Sequence, residues 1–236
     1  MIELEHYRLP EPDFSIPENP IFVTGHARAG TTVVTSALHV CGAFMGPTSN
    51  PDNPFGPTGV AENPQIRGLI VKPYLKAIGA DPFGQVCFPE PEDINVGSAP
   101  ILKEILKTLL QVGGYQGGPF GYKDAKLSHI FWLFHTMYPD AQWLIVSRRK
   151  EDVIRSCTRT NFMNRMGVID WSDWYDVYEA AKNRMRQHAD VLNITEINTN
   201  DLLQGDISAL EPVVEKFGLT WRPELIPPLI KPRKAV

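Results

Sequence analysis

PIFVTGHARAGTTVV, residues 20–34, runs from a short apolar stretch through a glycine-bounded loop into a helix-forming segment. PIFVTG has the length and composition of a buried strand closed by Gly25, and TTVVTSALHVCG reads as a helix stopping at Gly42. Gly25 and Gly30 stand five apart, and Thr32 occupies the hydroxyl position of a G-x-x-x-x-G-K-[ST] phosphate loop. Thr31 replaces the lysine of that pattern, and Arg28 brings a cation three residues earlier. A loop leading into a helix offers backbone N–H groups and the positive end of the helix dipole to an anion. A nucleoside triphosphatase needs in addition the lysine, Mg²⁺ and an acidic residue closing an apolar strand. Asp124 alone suits that last role, and its strand, PFGYK, is short and barely apolar. The loop, Gly25 to Thr32, therefore reads as a metal-free cradle for phosphate or sulfate.

Working outward, strand and helix signals alternate. GYK leads into Lys123 and a helix, QWLIVS (residues 142–147) is a second buried strand followed by a helix, and NITEIN begins a last strand, with Thr199 or Asn200 as the cap of a short helix. PQIRGLIVKPYLKAIG is mostly helical with a kink at Pro73, and APILKEILKTLLQVGG and DISALEPVVEKFGL are helices ended by glycine. Trp171, Trp174, Tyr175, Tyr178, Met185 and Leu192 share a helical stripe that reads as core packing. The expected fold is α/β, a central parallel sheet flanked by helices in a three-layer sandwich. One domain is expected over residues 1–236, with an extended arm at 1–19 and a basic, proline-rich tail at 225–236. Ligands of such folds bind beyond the carboxyl ends of the strands, where Gly25, Lys123 and Arg148 all fall.

Composition excludes several classes. A net charge of −4 gives no general attraction to nucleic acid, so anion affinity has to come from a local cluster. Cys41, Cys87 and Cys157 lie far apart and form neither a zinc pattern nor a disulfide framework, which points to a reducing, cytoplasmic setting. The acidic, proline-rich start lacks the features of a signal peptide, and the run HIFWLFHTM at 129–137 is too short for a membrane span.

The loop also resembles the first motif of the sulfotransferases that use 3′-phosphoadenosine-5′-phosphosulfate: a strand, a basic residue, Ser or Ala, Gly, Thr and Thr, here Arg28 to Thr32. A second motif of that family is an arginine after a buried strand with a serine eight residues on, and YPDAQWLIVSRRKEDVIRS supplies Arg148 and Ser156 at that spacing. The family carries Asp or Asn and then Pro where this chain has Arg149 and Lys150. The stretches from Phe120 to Asp140 and from Glu196 to Leu219 resemble further parts of the family, while the glycine-rich segment late in the cytosolic phenol and steroid enzymes has no counterpart. The resemblance implies a donor whose 5′-phosphosulfate sits in the loop and whose 3′-phosphate is gripped by Arg148 and Ser156. 3′,5′-Adenosine bisphosphate would be the product, and no metal would be needed.

Sulfuryl transfer asks for charge stabilisation at the leaving oxygen and a base for the acceptor proton. The resemblance assigns the first task to Arg28, with Lys123 assisting at the sulfuryl oxygens. Cytosolic members place a histidine base where this chain has Ala125, whereas glycan and tyrosine enzymes use a glutamate downstream of the loop. Glu62, in GVAENP, occupies that region and is the expected base, ahead of Asp124 and His26. Burial would have to raise such a carboxyl toward the working pH. The expected acceptor is a small molecule or glycan, with the Pro/Gly-rich loop at 43–63 and the aromatic segment from Phe162 to Tyr178 as pocket walls. Two other readings stay open: a small-molecule kinase with a degenerate phosphate loop, and a nucleotide-binding module of sulfotransferase ancestry that lacks activity.

Overall fold

A computed structural model describes residues 15–47, 61–160 and 170–230. Most of the loop expected at 43–63, the residues around Phe162, the first part of the arm and the end of the tail lie outside the described residues.

Four parallel strands form the sheet: β1 (Ile21–Gly25), β2 (Gly121–Lys123), β3 (Gln142–Ser147) and β4 (Asn193–Asn198), in the order β2-β1-β3-β4. Ile21 pairs with Gly121 on one side and with Gln142 on the other, and Gln142 pairs in turn with Asn193. The central strands are apolar because helices cover both faces of a parallel sheet. Alternate residues divide between two cores. Phe22, Trp143 and Ile145 pack with Leu75, Leu106 and Phe134, whereas Val23, Leu144 and Val146 pack on the opposite face with Val34, Val153 and Val214. This division produces the three layers expected from the sequence. Among the described residues no helix is long and apolar enough to cross a membrane.

The helices are α1 (Thr31–Val40), α2 (Pro64–Ile66), α3 (Lys72–Ala77), α4 (Ala99–Val112), α5 (Phe131–Met137), α6 (Lys150–Thr158), α7 (Trp171–Gln187) and α8 (Glu211–Lys216). A π turn at Arg67–Val71 joins α2 to α3, the Lys72 N–H bonding to the Arg67 carbonyl. Pro73 accounts for this difference from a simple kink, because proline lacks an N–H and crowds the preceding turn, so the helix widens before it instead of breaking. Trp174, Tyr175, Tyr178 and Met185 of the α7 stripe are buried as expected, with Trp171 partly covered, although the helix stops at Gln187 and Leu192 joins the core from beyond it.

The strand order reverses at the centre of the sheet: β2 follows β1 on one side, and β3 returns to the other. The crevice between the carboxyl ends of β1 and β3 is the topological switch point, where open α/β sheets bind ligands. Gly25, at φ +147°, ends β1 so close to β3 that a Cβ would lie 2.2 Å from the Val146 carbonyl oxygen.

Candidate active site

The loop leaving β1 is held in an unusual shape. Arg28 has φ +71° and Gly30 φ +89°, both in the left-handed region. A Cβ on Gly30 would meet Thr199 atoms at 3.0–3.2 Å. Gly30 therefore serves both conformation and close approach, and Gly30→Ala should lose about 2 kcal/mol in a urea unfolding titration. A loss below about 0.5 kcal/mol would contradict this account.

Thr199 is the residue that pins the loop. Its hydroxyl donates to the Ala29 carbonyl at 2.6 Å, and its N–H bonds to the Ser147 carbonyl at 3.0 Å. Neither Thr199 nor Asn200 caps a helix as the sequence predicted: the helical turn at Leu202–Gln204 begins after Asp201, with no side-chain cap, and Asn200 accepts from the Arg149 N–H. The two residues instead tie the end of β4 to the loops after β1 and β3. Only a residue projecting from a strand end toward the switch point can do this, a position the capping pattern does not reveal.

Helix α1 starts at Gly30, which supplies no capping oxygen, and its first turn contains no acidic residue. The positive end of the dipole of a ten-residue helix thus faces the loop. Beside them Arg28 Nε donates to Ser156 Oγ at 3.0 Å, and Arg148 Nη1 donates to the Arg28 carbonyl at 3.1 Å. Arg148 follows β3 and Ser156 lies on α6, so residues 128 positions apart in sequence, Arg28 and Ser156, converge on one surface. The Tyr175 hydroxyl donates to the Arg148 carbonyl at 3.2 Å and steadies the surface from α7.

A second cluster sits at the end of β2. Lys123 Nζ lies 2.9 Å from Glu62 Oε1, and Arg67 Nη1 lies 2.9 Å from Glu62 Oε2. Burial alone would raise the Glu62 carboxyl, but Lys123, Lys126 and Arg67 outweigh it and hold the group at about 2. The expectation that burial lifts this carboxyl toward neutral pH is reversed, because the two flanking cations arrive with it. Asp124 is fully buried: Lys126 Nζ lies 2.7 Å from Oδ1, and the Tyr122 hydroxyl donates to Oδ2 at 3.0 Å. Its oxygens are committed to the protein, which removes the carboxylate that a Mg²⁺-dependent kinase reading required.

His26 points away from the loop surface into the core. Its Nε2 donates to the Tyr175 carbonyl at 2.9 Å, and its ring stacks on Tyr175 at 3.9 Å. Burial first, and Lys182 second, push it down to about 4, so it is a neutral strut at physiological pH. Behind it Lys182 is wholly buried, 2.7 Å from Glu179 Oε2 and within 3.1 Å of Ser147 Oγ. His129 has no hydrogen-bond partner on either nitrogen and packs against Phe88 and Tyr178. Burial pushes it down to about 3. Among the described residues no group of His, Cys, Asp and Glu could hold a metal ion.

A family model described as "Sulfotransferase family" matches residues 20–223. The chain belongs to the sulfotransferase family. Several solved structures share the fold of this sulfotransferase. The sulfotransferase domain from the Synechococcus PCC 7002 olefin synthase has a TM-score of 0.51 at 16% identity, over 91% of this chain and 78% of that one. The sulfotransferase domain from the curacin biosynthetic pathway gives 0.55 at 14% identity, over 89% and 77%. The sulfotransferase from Alicyclobacillus acidocaldarius gives 0.53 at 12% identity, over 93% and 87%. No curated protein sequence matches the chain. At these identities the structures establish a shared fold, while the family model establishes that the protein is a sulfotransferase enzyme.

Proposed function

We propose that the protein moves a sulfuryl group from 3′-phosphoadenosine-5′-phosphosulfate to a hydroxyl or amine of a small molecule or glycan, by in-line transfer without a metal. The observation that carries this reading is the junction of Arg28 with Ser156 and of Arg148 with the Arg28 carbonyl at the switch point. An arginine fork and a hydroxyl suit a dianionic phosphate, and the loop amides with the start of α1 suit the phosphosulfate one strand away.

When bound, the donor supplies an activated sulfuryl group on its 5′-phosphate. In this reading Arg28 neutralises the charge that develops on the phosphate oxygen as the bond to sulfur breaks. Thr31 and Thr32, with Ala29 and Gly30, shape the cradle, and Lys123 bears on the sulfuryl oxygens. Glu62 takes the acceptor proton as the new oxygen–sulfur or nitrogen–sulfur bond forms. Its basicity is released only as Lys123 turns from it toward the sulfuryl group, which couples proton removal to donor occupancy. The free thiols of Cys41, Cys87 and Cys157 accord with our placement of the protein in the cytoplasm.

Metal-free calorimetric titration with 3′,5′-adenosine bisphosphate tests the donor site. We expect one site per chain, weakened about 10- to 100-fold in Arg148→Ala, as for the loss of a charge-assisted hydrogen bond to phosphate. Binding of ATP with Mg²⁺ in place of the bisphosphate would overturn the reading in favour of a kinase. Bisphosphate binding without any consumption of the phosphosulfate donor would indicate an inactive module.

A further inference from the structure

The helical run after Glu62 carries cations that the donor does not use. Arg67 opens the π turn and Lys72 closes it. On a regular α-helix two residues five apart point roughly 140° away from each other. The extra residue in the π turn brings Lys72 round toward the Arg67 side, and such turns recur at functional sites. Lys72 is half-buried, with its Nζ 4.4 Å from the centre of the Phe83 ring, itself 46% exposed. The next residue, Gly84, is packed so closely on Lys126 that a Cβ there would lie 2.9 Å from Lys126 Cγ, so Lys72 and Lys126 flank the same short stretch. Burial, followed by the charges of Arg67 and Lys126, lowers the Lys72 ammonium.

The carboxylates whose charge acts on Lys72 are Asp124 and Glu62, and both are already engaged. Glu62 lies between Lys123 and Arg67, and Asp124 is taken by Lys126 and Tyr122. Four cations therefore share two carboxylates, and among the described residues no carboxylate pairs with Lys72. Like charges held together on packed elements repel, and a bound anion relieves that repulsion. The strand order places the cluster on the acceptor side. The grip of Arg148 and Ser156 lies at β3, the phosphosulfate loop at β1, and Lys123 with its neighbours at β2.

We propose that Arg67, Lys72 and Lys126 form an anion-binding subsite for the acceptor, so that the acceptor is a hydroxyl or amine compound carrying a carboxylate or phosphate group of its own. This inference rests on the sulfotransferase reading of the neighbouring donor site. Phe83 contributes an apolar edge beside the charge, suited to the carbon skeleton of such a molecule.

The test uses the whole chain saturated with 3′,5′-adenosine bisphosphate, so that the donor site is filled before a second anion is added. Inorganic phosphate and, separately, acetate are titrated calorimetrically into wild type, Lys72→Gln and Lys72→Arg. The expected result is one additional anion per chain, weakened at least tenfold in Lys72→Gln and retained in Lys72→Arg, with bisphosphate affinity equal in all three. Tighter phosphate than acetate would assign a phosphorylated acceptor, and the reverse a carboxylate. Absence of a second anion, or an anion bound equally well by Lys72→Gln and so seated at the loop, would overturn the proposal. Failure of the bisphosphate itself to bind would instead bring down the donor reading, and is separately visible in the first titration.

Discussion

Glu62→Ala is expected to lose about 3–5 kcal/mol of stability at pH 7, the range for breaking a buried ion pair from one side. Lys123 is only 4% exposed and Arg67 partly covered, so removing the shared carboxylate leaves two cations, one of them nearly buried, without their counter-charge. Glu62→Gln retains hydrogen-bonding capacity and should lose less. The ionised carboxyl also gives the stability a pH dependence. Its value in the folded protein, about 2, lies below the ordinary value of 4.5, so the stabilisation is fully present above about 4.5 and disappears as pH falls toward 2. Urea unfolding of wild type and Glu62→Gln at intervals between pH 7 and pH 3 should therefore show two curves that converge at the acid end. An alanine variant within about 1 kcal/mol of wild type at pH 7 would show that the triad contributes little. Turnover should fall in both variants, since neither can accept a proton at this position.

The layered α/β plan was legible because a parallel sheet covered on both faces needs uninterrupted apolar strands, and IFVTG and QWLIVS are such strands. The shape of the loop after β1 was legible for a local reason: Gly25, Gly30 and the arginine between them stand within a few residues of one another. Arg148 and Ser156 were legible as one turn of strand and helix, but their meeting with Arg28 required the β1–β3 pairing. Harder to read were the groups whose role depends on tertiary neighbours. Thr199 looked like a cap because threonine after a strand commonly is one, yet its hydroxyl reaches a carbonyl 170 residues away in sequence. Glu62 was singled out by the family resemblance, while its low basicity depends on Lys123, 61 residues distant, and on Arg67, whose charge in the next helical turn carried no signal of its own. His26 sits inside the loop motif and faces the core, because the chain reverses at Arg28 and turns the side chain toward Tyr175.

Arg28 should separate catalysis from stability more sharply than any other position. Its backbone occupies the left-handed region at φ +71°, which costs a non-glycine residue about 1–2 kcal/mol. The conformation persists because Arg148 holds the Arg28 carbonyl and the Arg28 side chain reaches Ser156. Arg28→Gly removes both the strain and the guanidinium. The relief of strain is offset by the greater freedom of glycine in the unfolded chain, so the midpoint of unfolding should stay within about 1 kcal/mol of wild type. Loss of a preorganised cation at a developing oxyanion should meanwhile lower the chemical step about 10²–10³-fold. Slow transfer of the sulfuryl group to water gives a readout that needs no knowledge of the acceptor: release of 3′,5′-adenosine bisphosphate from the phosphosulfate donor, followed at saturating donor. Bisphosphate affinity should suffer less in Arg28→Gly than in Arg148→Ala, because the proposed mechanism has Arg28 act where charge appears during transfer and Arg148 on a phosphate whose charge is constant. A rate within tenfold of wild type would remove Arg28 from the leaving-group side and pass that role to Lys123. A large loss of affinity with an unchanged rate at saturation would make Arg28 a donor-binding residue alone.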